Sequence, residues 1–543
     1  IRILDTLIVE WPNGRATRMT QVKTDQALAL DIRSANLSAW PEKPWLQPDK
    51  TKLFKEIPFR PNWRHTENEF SDWDRDRLLF FLYSTEGPRM ALGDVNGDQL
   101  EDVFFCGAKG QPGALFIQTG DGQLRLREQK SFQADADCED TDAVFFDADG
   151  DKDLDLYVAS GGNETEPGSA ELADRLYIND GKAGFTRKLD ALPGRKPYAS
   201  ACVRPADADQ DGDLDLFVGM RLLPGKVGVP VGGYLLLNDG KGYFNMTQPE
   251  AFKNLGLLTD AAWSDLNNDG QPDLLVVGEW MSPTLFINQN GQFSNQSAQY
   301  GLKPFSGLWK KLAVADLNGD GKPDFVTGNM GLNTRLKAGP ETPLTLYFND
   351  FDQNGTPEQI LCRHNSGKVF PYVLRGDMIG TMPLLKKRFL HFRDYAGKTL
   401  QDVFSPEQMA EALELQAGYL ASAVFLSTDK GTYEYRELPS EAQFAPLFGL
   451  ALADINLDGQ TDIVSGGNFL GSKPEFGYVD ADYGLTLLGD GKGGFTPSRA
   501  RNTGLQLSGE VRDLKIMRLG KRPTLLVARN SQAPQIFELL QLK

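Results

Sequence analysis

Short apolar runs alternate with acidic, glycine-rich bends along most of the chain. RMALGD, DAVFFD, KKLAVAD and GLALAD each read as a strand. They are short, rich in aromatic or β-branched residues, and bounded by turn formers. An Asp-rich phrase follows each one. A second strand comes next (DVFFCGA, DLYVASG, DLFVGM, DLLVVGEW, DFVTGN, DIVSGGN). A third runs into a hairpin turn: LYINDGKAGF, LLLNDGKGYF, LFINQNGQF, VFLSTDKGTYEY, LTLLGDGKGGF. Asp-Gly and Asn-Gly supply the positive φ that tight hairpins need. The unit therefore reads strand, acidic loop, strand, loop, strand, glycine turn, strand.

The acidic phrase recurs seven times with one internal spacing, and positions 1, 3, 5 and 9 carry oxygen-bearing side chains. The first copy has Asp94, Asn96, Asp98 and Asp102. The second has Asp147, Asp149, Asp151 and Asp155, and the third Asp207, Asp209, Asp211 and Asp215. The fourth and fifth have Asp265, Asn267, Asp269, Asp273 and Asp316, Asn318, Asp320, Asp324. Asp350, Asp352, Asn354 and Glu358 make the sixth, and Asp454, Asn456, Asp458 and Asp462 the seventh. A degenerate eighth position near Asp513 keeps the hydrophobic pattern without the carboxylates.

Successive phrases start 53, 60, 58, 51, 34, 104 and 59 residues apart. A unit of about 50–60 residues suits a four-stranded propeller blade. The steps of 34 and 104 span 138 residues together, which fits one blade carrying a large insertion. The expected fold is an all-β, seven-bladed β-propeller, with eight blades as the alternative. Blades start near 87, 141, 197, 259, 309, 448 and 509, with the insertion at about 335–418. Residues 41–86 are expected to be a linker in which Thr51–Ile57 (TKLFKEI) pairs with the last blade and closes the ring, removing exposed edges. Residues 1–40 form a small N-terminal β segment. In the insertion, Ser405-Pro406-Glu407-Gln408 is a capping box. A helix through MAEALELQA, ending near Gly418 and packing on the propeller side, is expected.

Alternating side chains in a tight loop converge on one centre, and position 7 can add its carbonyl. Hard oxygen donors in this number suit Ca²⁺. The plain alternative is an acidic turn whose Asp and Asn side chains cap backbone groups. Charge favours the ion. Lys and Arg total 57 against 74 Asp and Glu, a formal charge of −17. Seven divalent ions would bring it to −3. The acidic balance argues against nucleic acid as a partner and against an anionic membrane surface. No apolar run is long enough to span a bilayer. The absence of a secretory signal, with the chain opening inside a strand, suggests a fragment or mature product. Cys106, Cys138, Cys202 and Cys362 are too scattered for a zinc site and are expected to stay thiols. His65, His364 and His391 are the three histidines, which disfavours a His-based mechanism.

The acidic phrases and their strands resemble FG-GAP/VCBS repeats, the units of the integrin α-subunit propeller, over about residues 87–543. The segment Leu7–Leu30, around Trp11-Pro12-Asn13-Gly14, resembles the C-terminal half of an ASPIC/UnbV domain. That order of parts is similar to a family of large bacterial surface or secreted proteins related to animal cartilage acidic protein. The resemblance implies several Ca²⁺ ions and an extracellular or outer-membrane location. It also implies a lipid anchor and further propeller upstream, and association with an outer-membrane nutrient importer.

In a propeller the acidic loops decorate one face and the loops between second and third strands the other. The second face gathers Asn163, Glu164, Arg221, Glu279, Trp280, Asn329, Asn333 and Asn468. Amide, charge and indole together suit a glycan or peptide. The competing reading is that these residues serve turns and blade packing. Three functions follow: a noncatalytic surface binding or scaffold protein, a propeller-fold polysaccharide lyase, and a structural subunit of an outer-membrane complex. A lyase needs a base near the sugar C5 proton; Arg221 would neutralise the carboxylate, but no His lies in those loops. Nucleophile-elbow, phosphate-loop and zinc motifs are absent from the sequence. The binding protein is preferred.

Overall fold

A computed structural model describes residues 3–11, 16–35, 52–194 and 196–541. The chain divides into two compact units, Ile1–Lys52 and Leu53–Lys543. In the first, Ile3–Glu10 pairs antiparallel with Ala16–Lys23. The Trp11 indole N–H donates to the Thr17 hydroxyl at 2.9 Å. Pro12, Asn13, Gly14 and most of the expected linker before Lys52 lie outside the described residues.

The second unit contains seven consecutive sheets built on the predicted plan. Their first strands are Met90–Gly93, Asp140–Phe146, Ala199–Ala206, Leu257–Ser264, Lys311–Ala315, Leu447–Ala453 and Val511–Leu519. Each of these touches the next, and the last touches the first, so the sheets close into a ring. Each sheet runs antiparallel from its first strand outward. The strands are buried on both faces, because neighbouring sheets stack on them. Tyr157, Leu176 and Phe146 share a core with Val203, Val218 and Leu236 of the next sheet.

Three strands of the seventh sheet come from the C-terminal end, Val511–Leu519, Arg522–Arg529 and Gln535–Leu539. The fourth is Phe54–Ile57, paired with Gln535–Leu539 in the register Phe54↔Leu539 to Ile57↔Ile536. Both ends of the unit thus share one sheet. The degenerate eighth phrase lies here. A tight turn from Leu519 to Arg522 replaces the acidic loop.

The insertion differs from expectation. It is a sheet in its own right, placed between the second (Asp324–Gly328) and third (Ala423–Ser427) strands of the fifth sheet. Leu344–Asn349, the Asp350 loop, Glu358–Asn365 and Lys368–Pro371 repeat the first three strands of the common unit outside the ring. The helix after Ser405 stops at Ala410. LELQA is not helical: Leu413–Ala417 is a strand on the free edge of Leu344–Asn349. Leu413, Leu415 and Ala417 alternate with polar residues, so the two-residue period fits an available ladder better than a continued helix. The insertion's core (Met378, Met382, Phe389, Leu400) is continuous with Leu78 and Phe80 from the segment preceding the first sheet, and with Met330.

Candidate functional site

Each acidic loop is built round its ninth residue. The Asp155 carboxylate is fully buried. Through Oδ2 it accepts from the Ala148 N–H at 3.0 Å, and through Oδ1 from the Asn179 N–H at 2.8 Å. Asp102, Asp215, Asp273, Asp324 and Asp462 make the same two links, from position 2 of the loop and from the third strand. Glu358 keeps the link to position 2. Position 9 is therefore a structural clasp as well as a potential ligand. Burial pushes the Asp155 carboxyl up to about 7, against the hydrogen bonds from Asn179 and Ala148. It likewise pushes Asp102 and Asp215 to about 6.

Positions 1, 3 and 9 separate the loops into two kinds. Carboxylate oxygens of Asp147, Asp149 and Asp155 lie within 4.8 Å of one another, as do those of Asp207, Asp209, Asp215 and of Asp350, Asp352, Glu358. These are the copies with Asp at position 3. Within them Oδ1 of Asp149, Asp207, Asp209 and Asp352 is buried without a hydrogen-bond donor. Uncompensated oxygens of this kind are costly, and a hard cation satisfies them with the bond lengths its radius demands. The donor sets fit Ca²⁺. Asp153 and Asp213, at position 7, also keep a buried, unpartnered Oδ1. The sequence reading gave this position only a carbonyl, although both aspartates are plain in it.

The copies with Asn at position 3 are more self-sufficient. Position 1 accepts backbone N–H groups in both kinds, Asp94 from Gly97 at 2.8 Å and Gln99 at 2.7 Å, Asp147 from Gly150 at 2.8 Å and Lys152 at 3.1 Å; the difference lies at position 3. Asn267 and Asn456 donate their amides to the position 5 carboxylates, Asp269 and Asp458, at 2.9 and 2.8 Å. Asp98, Asp265, Asp316, Asp320 and Asp454 line these loops beside Asn96 and Asn318, whereas Asp151, Asp211 and Asn354 hold position 5 of the other three.

The residues expected on the opposite face are largely used up. Asn163 is 1% exposed. Its amide donates to Asp72 at 2.5 Å, and its side-chain oxygen accepts from the Gly225 N–H. Asp72 in turn accepts from the Tyr83 and Ser84 backbones and the Ser84 hydroxyl, cinching residues 72–84 into a loop over the ring. Asn329 donates to the Tyr419 and Ala421 carbonyls, Asn333 to Phe444, and Asn468 to Asp482 and Gly509. Trp280 packs half-buried against two hydrophobic clusters. Arg221 pairs with Glu86 at 2.9 Å and with Glu279 at 3.2 Å, and Glu279 also binds Lys310. Glu164 stands apart, with both carboxylate oxygens buried and unpartnered. The crevice that Arg221, Glu279, Lys310 and Arg512 line with Phe81 and Tyr83 offers about 40 Å³, room for a few waters and not a sugar ring.

A far roomier cavity than this crevice lies on the other side. A well of about 690 Å³ follows the axis among the first strands toward the acidic loops, within the size range of small-molecule sites. Leu92, Phe145, Pro205, Trp263, Leu452 and Ile516 are among its walls. Trp263 donates its indole N–H to the Arg204 carbonyl at 3.0 Å, which fixes the ring. A girdle of Asp142, Arg204, Asp260, Lys311 and Asp513 lies across it, backed by Arg89. Arg204 bridges Asp142, at 2.6 Å, and Asp260; Lys311 bridges Asp260 at 3.3 Å and Asp513 at 3.6 Å. Burial would raise the Asp260 carboxyl, but Arg204, Lys311 and Arg89 hold it well below the usual range. Sequence reasoning missed this girdle. Its signal was a charge inside five of the seven otherwise apolar first strands, as in TDAVFF, CVRPAD and WKKLAVAD.

Residues 94–158, 147–218 and 265–327 match the FG-GAP-like repeat. Those stretches of the chain are thus similar to FG-GAP-like repeats. The closed ring of sheets is a β-propeller. No curated protein matches the chain. Similar solved structures include the Vibrio cholerae biofilm matrix protein Bap1, at 11% identity and a TM-score of 0.36, covering 91% of this chain and 92% of that one. Saccharomyces cerevisiae Sqt1 is similar at 10% identity and a TM-score of 0.39, covering 85% and 97%. The Dos1 propeller is similar at 11% and 0.36, covering 86% and 97%. Among the described residues no helix is long and apolar enough to cross a membrane.

Proposed function

We propose that the chain is a noncatalytic, calcium-stabilised binding or scaffold protein, a seven-bladed FG-GAP propeller that works at a cell surface. Ca²⁺ in the acidic loops would neutralise the carboxylate clusters and stiffen the rim. The extracellular assignment rests on the calcium level that loops of this type need. The hairpin Ile3–Lys23 supports reading residues 1–40 as the end of an ASPIC/UnbV-type domain, and an outer-membrane importer is the partner that this family reading suggests.

The axial well carries the binding reading. It has room for a ligand, it combines a fixed indole with a charged girdle, and its ionic groups are already paired with one another. Paired ions recognise polar groups without supplying a free base or nucleophile. A glycan or a short peptide fits that chemistry. Tryptophan fluorescence titrated with a panel of oligosaccharides and peptides tests the assignment. A response in the native protein that disappears in Trp263→Ala supports it; binding unchanged by that substitution contradicts the well. Unsaturated uronate absorbance on incubation with polysaccharide would make the protein a lyase.

A further inference from the structure

The insertion carries a surface unlike the rest of the molecule. Between Arg375 and Lys398 the chain folds into short helical turns, Arg375–Thr381, Pro383–Lys387 and Phe392–Tyr395. Six lysines and arginines stand there against two aspartates, in a chain of formal charge −17. Leu384, Leu390 and Phe392 are 69%, 60% and 73% exposed, and Leu374 is 52% exposed. Single exposed leucines are ordinary; several large apolar side chains interleaved with lysines mark an interaction surface.

The surface is firmly built. Arg375 donates to the Phe389 and Leu390 carbonyls, each at 2.7 Å, and its guanidinium lies 5.1 Å from the centre of the Phe392 ring. One side chain thus holds Leu374, Leu390 and Phe392 at one edge. Arg388 ties the next turn to the Val403 and Asp402 carbonyls at 2.7 and 2.6 Å. Met378, Met382, Leu385 and Phe389 are buried beneath. The side chains of Lys386 and Lys387 are exposed and, among the described residues, make no ion pair or hydrogen bond.

We propose that this tip docks the protein on an anionic lipid surface, with Leu384, Leu390 and Phe392 entering the interface and the flanking Lys and Arg side chains meeting the headgroups. Side chains this exposed protrude rather than line a groove. A protein partner would need a pocket for each, whereas a lipid interface imposes no contour. Apolar tips with a basic fringe are the combination that interfacial anchors use. The overall negative charge does not forbid it, because screening limits each charge to about 8 Å at physiological salt. Within that reach the tip is positive, and the acidic remainder orients the molecule by repulsion.

The test is sedimentation of the full chain, in calcium-containing buffer, with vesicles of phosphatidylcholine alone or mixed with phosphatidylglycerol. Binding should require phosphatidylglycerol and weaken with salt. Each basic residue near such a surface is worth about fivefold in partitioning, so Lys386→Glu/Lys387→Glu should lose at least about twentyfold. Leu384→Ser/Phe392→Ser should also abolish sedimentation while leaving the melting temperature unchanged. An environment-sensitive dye on Phe392→Cys should shift to the blue when vesicles are added. Failure of the native protein to bind, or equal binding by both double variants, would overturn the proposal. The second result would mean calcium bridging between lipid and the acidic loops. Capture of an acidic protein through the same residues, without vesicle binding, would overturn it as well.

Discussion

The side-chain amide of Asn238 donates to the backbone carbonyl of Ala148 at 2.9 Å, fastening the third strand of one sheet to the acidic loop of the sheet before it. Asn179 does the same to Val95, and Asn288 to Ala208, each at 2.8 Å. Gln118 reaches the Arg518 carbonyl across the ring closure at 2.9 Å. Gln408, inside the Ser405 capping box, plays the part in the insertion by donating to Phe351. Position 2 of the loop thus gives its N–H to its own ninth residue and its carbonyl to a neighbouring element.

Removing such an amide leaves a buried carbonyl without its donor, at a cost of about 1–3 kcal/mol. Asn238→Ala should therefore lower the stability of the second unit by roughly that amount, read from the urea midpoint. Asn238→Asp should cost more, since a carboxylate would face the same carbonyl.

The axial girdle should be still more sensitive. Asp260→Ala leaves Arg204 and Lys311 facing a gap, and breaking a buried ion pair in this way costs about 3–5 kcal/mol. The pH sign follows from the same contacts. Asp260 is held below its unfolded value, so its stabilisation is complete above about pH 4 and is lost as pH falls toward its folded value. The native protein should show an acid transition that Asp260→Asn weakens, monitored by near-ultraviolet circular dichroism.

Three other carboxyls give the opposite sign. Burial pushes Glu67 up to about 8 and Glu164 to about 7, and with Glu67 and Glu164 nearby it drives Glu139 well above its usual range. Arg512 beside Glu67 and Lys109 beside Glu164 oppose the rise, while Glu510, Glu86 and Asp72 reinforce it. These groups hold protons more tightly when folded. Their contribution is greatest below about pH 4.5 and is lost as pH rises through about 7 and 8. Glu67→Gln should gain melting temperature at about pH 8.5 and little at about pH 5.

Much of the ring was legible because each sheet repeats one local code. Asp155 announces a strand start, and Asp180-Gly181 a hairpin, within a dozen or so residues of the apolar run they punctuate. The pairing of Phe54–Ile57 with the last strand was readable from the missing fourth strand. The site was less legible. Asn163 and Asn468 look like ligand groups in sequence, yet their amides are spent on contacts with residues far along the chain. The girdle forms only where several first strands meet at the axis. Leu413–Ala417 followed a capping box, and only the free edge of Leu344–Asn349 decides that it pairs as a strand.

The central claim is that the acidic loops hold calcium, and equilibrium dialysis of the chelator-treated full chain against radioactive calcium tests it most directly. The account predicts several ions bound per chain, including those of the Asp147, Asp207 and Asp350 loops, with Asp149→Asn/Asp209→Asn releasing about two of them. Retention of no calcium at millimolar concentration, with a melting temperature indifferent to chelator, would contradict it.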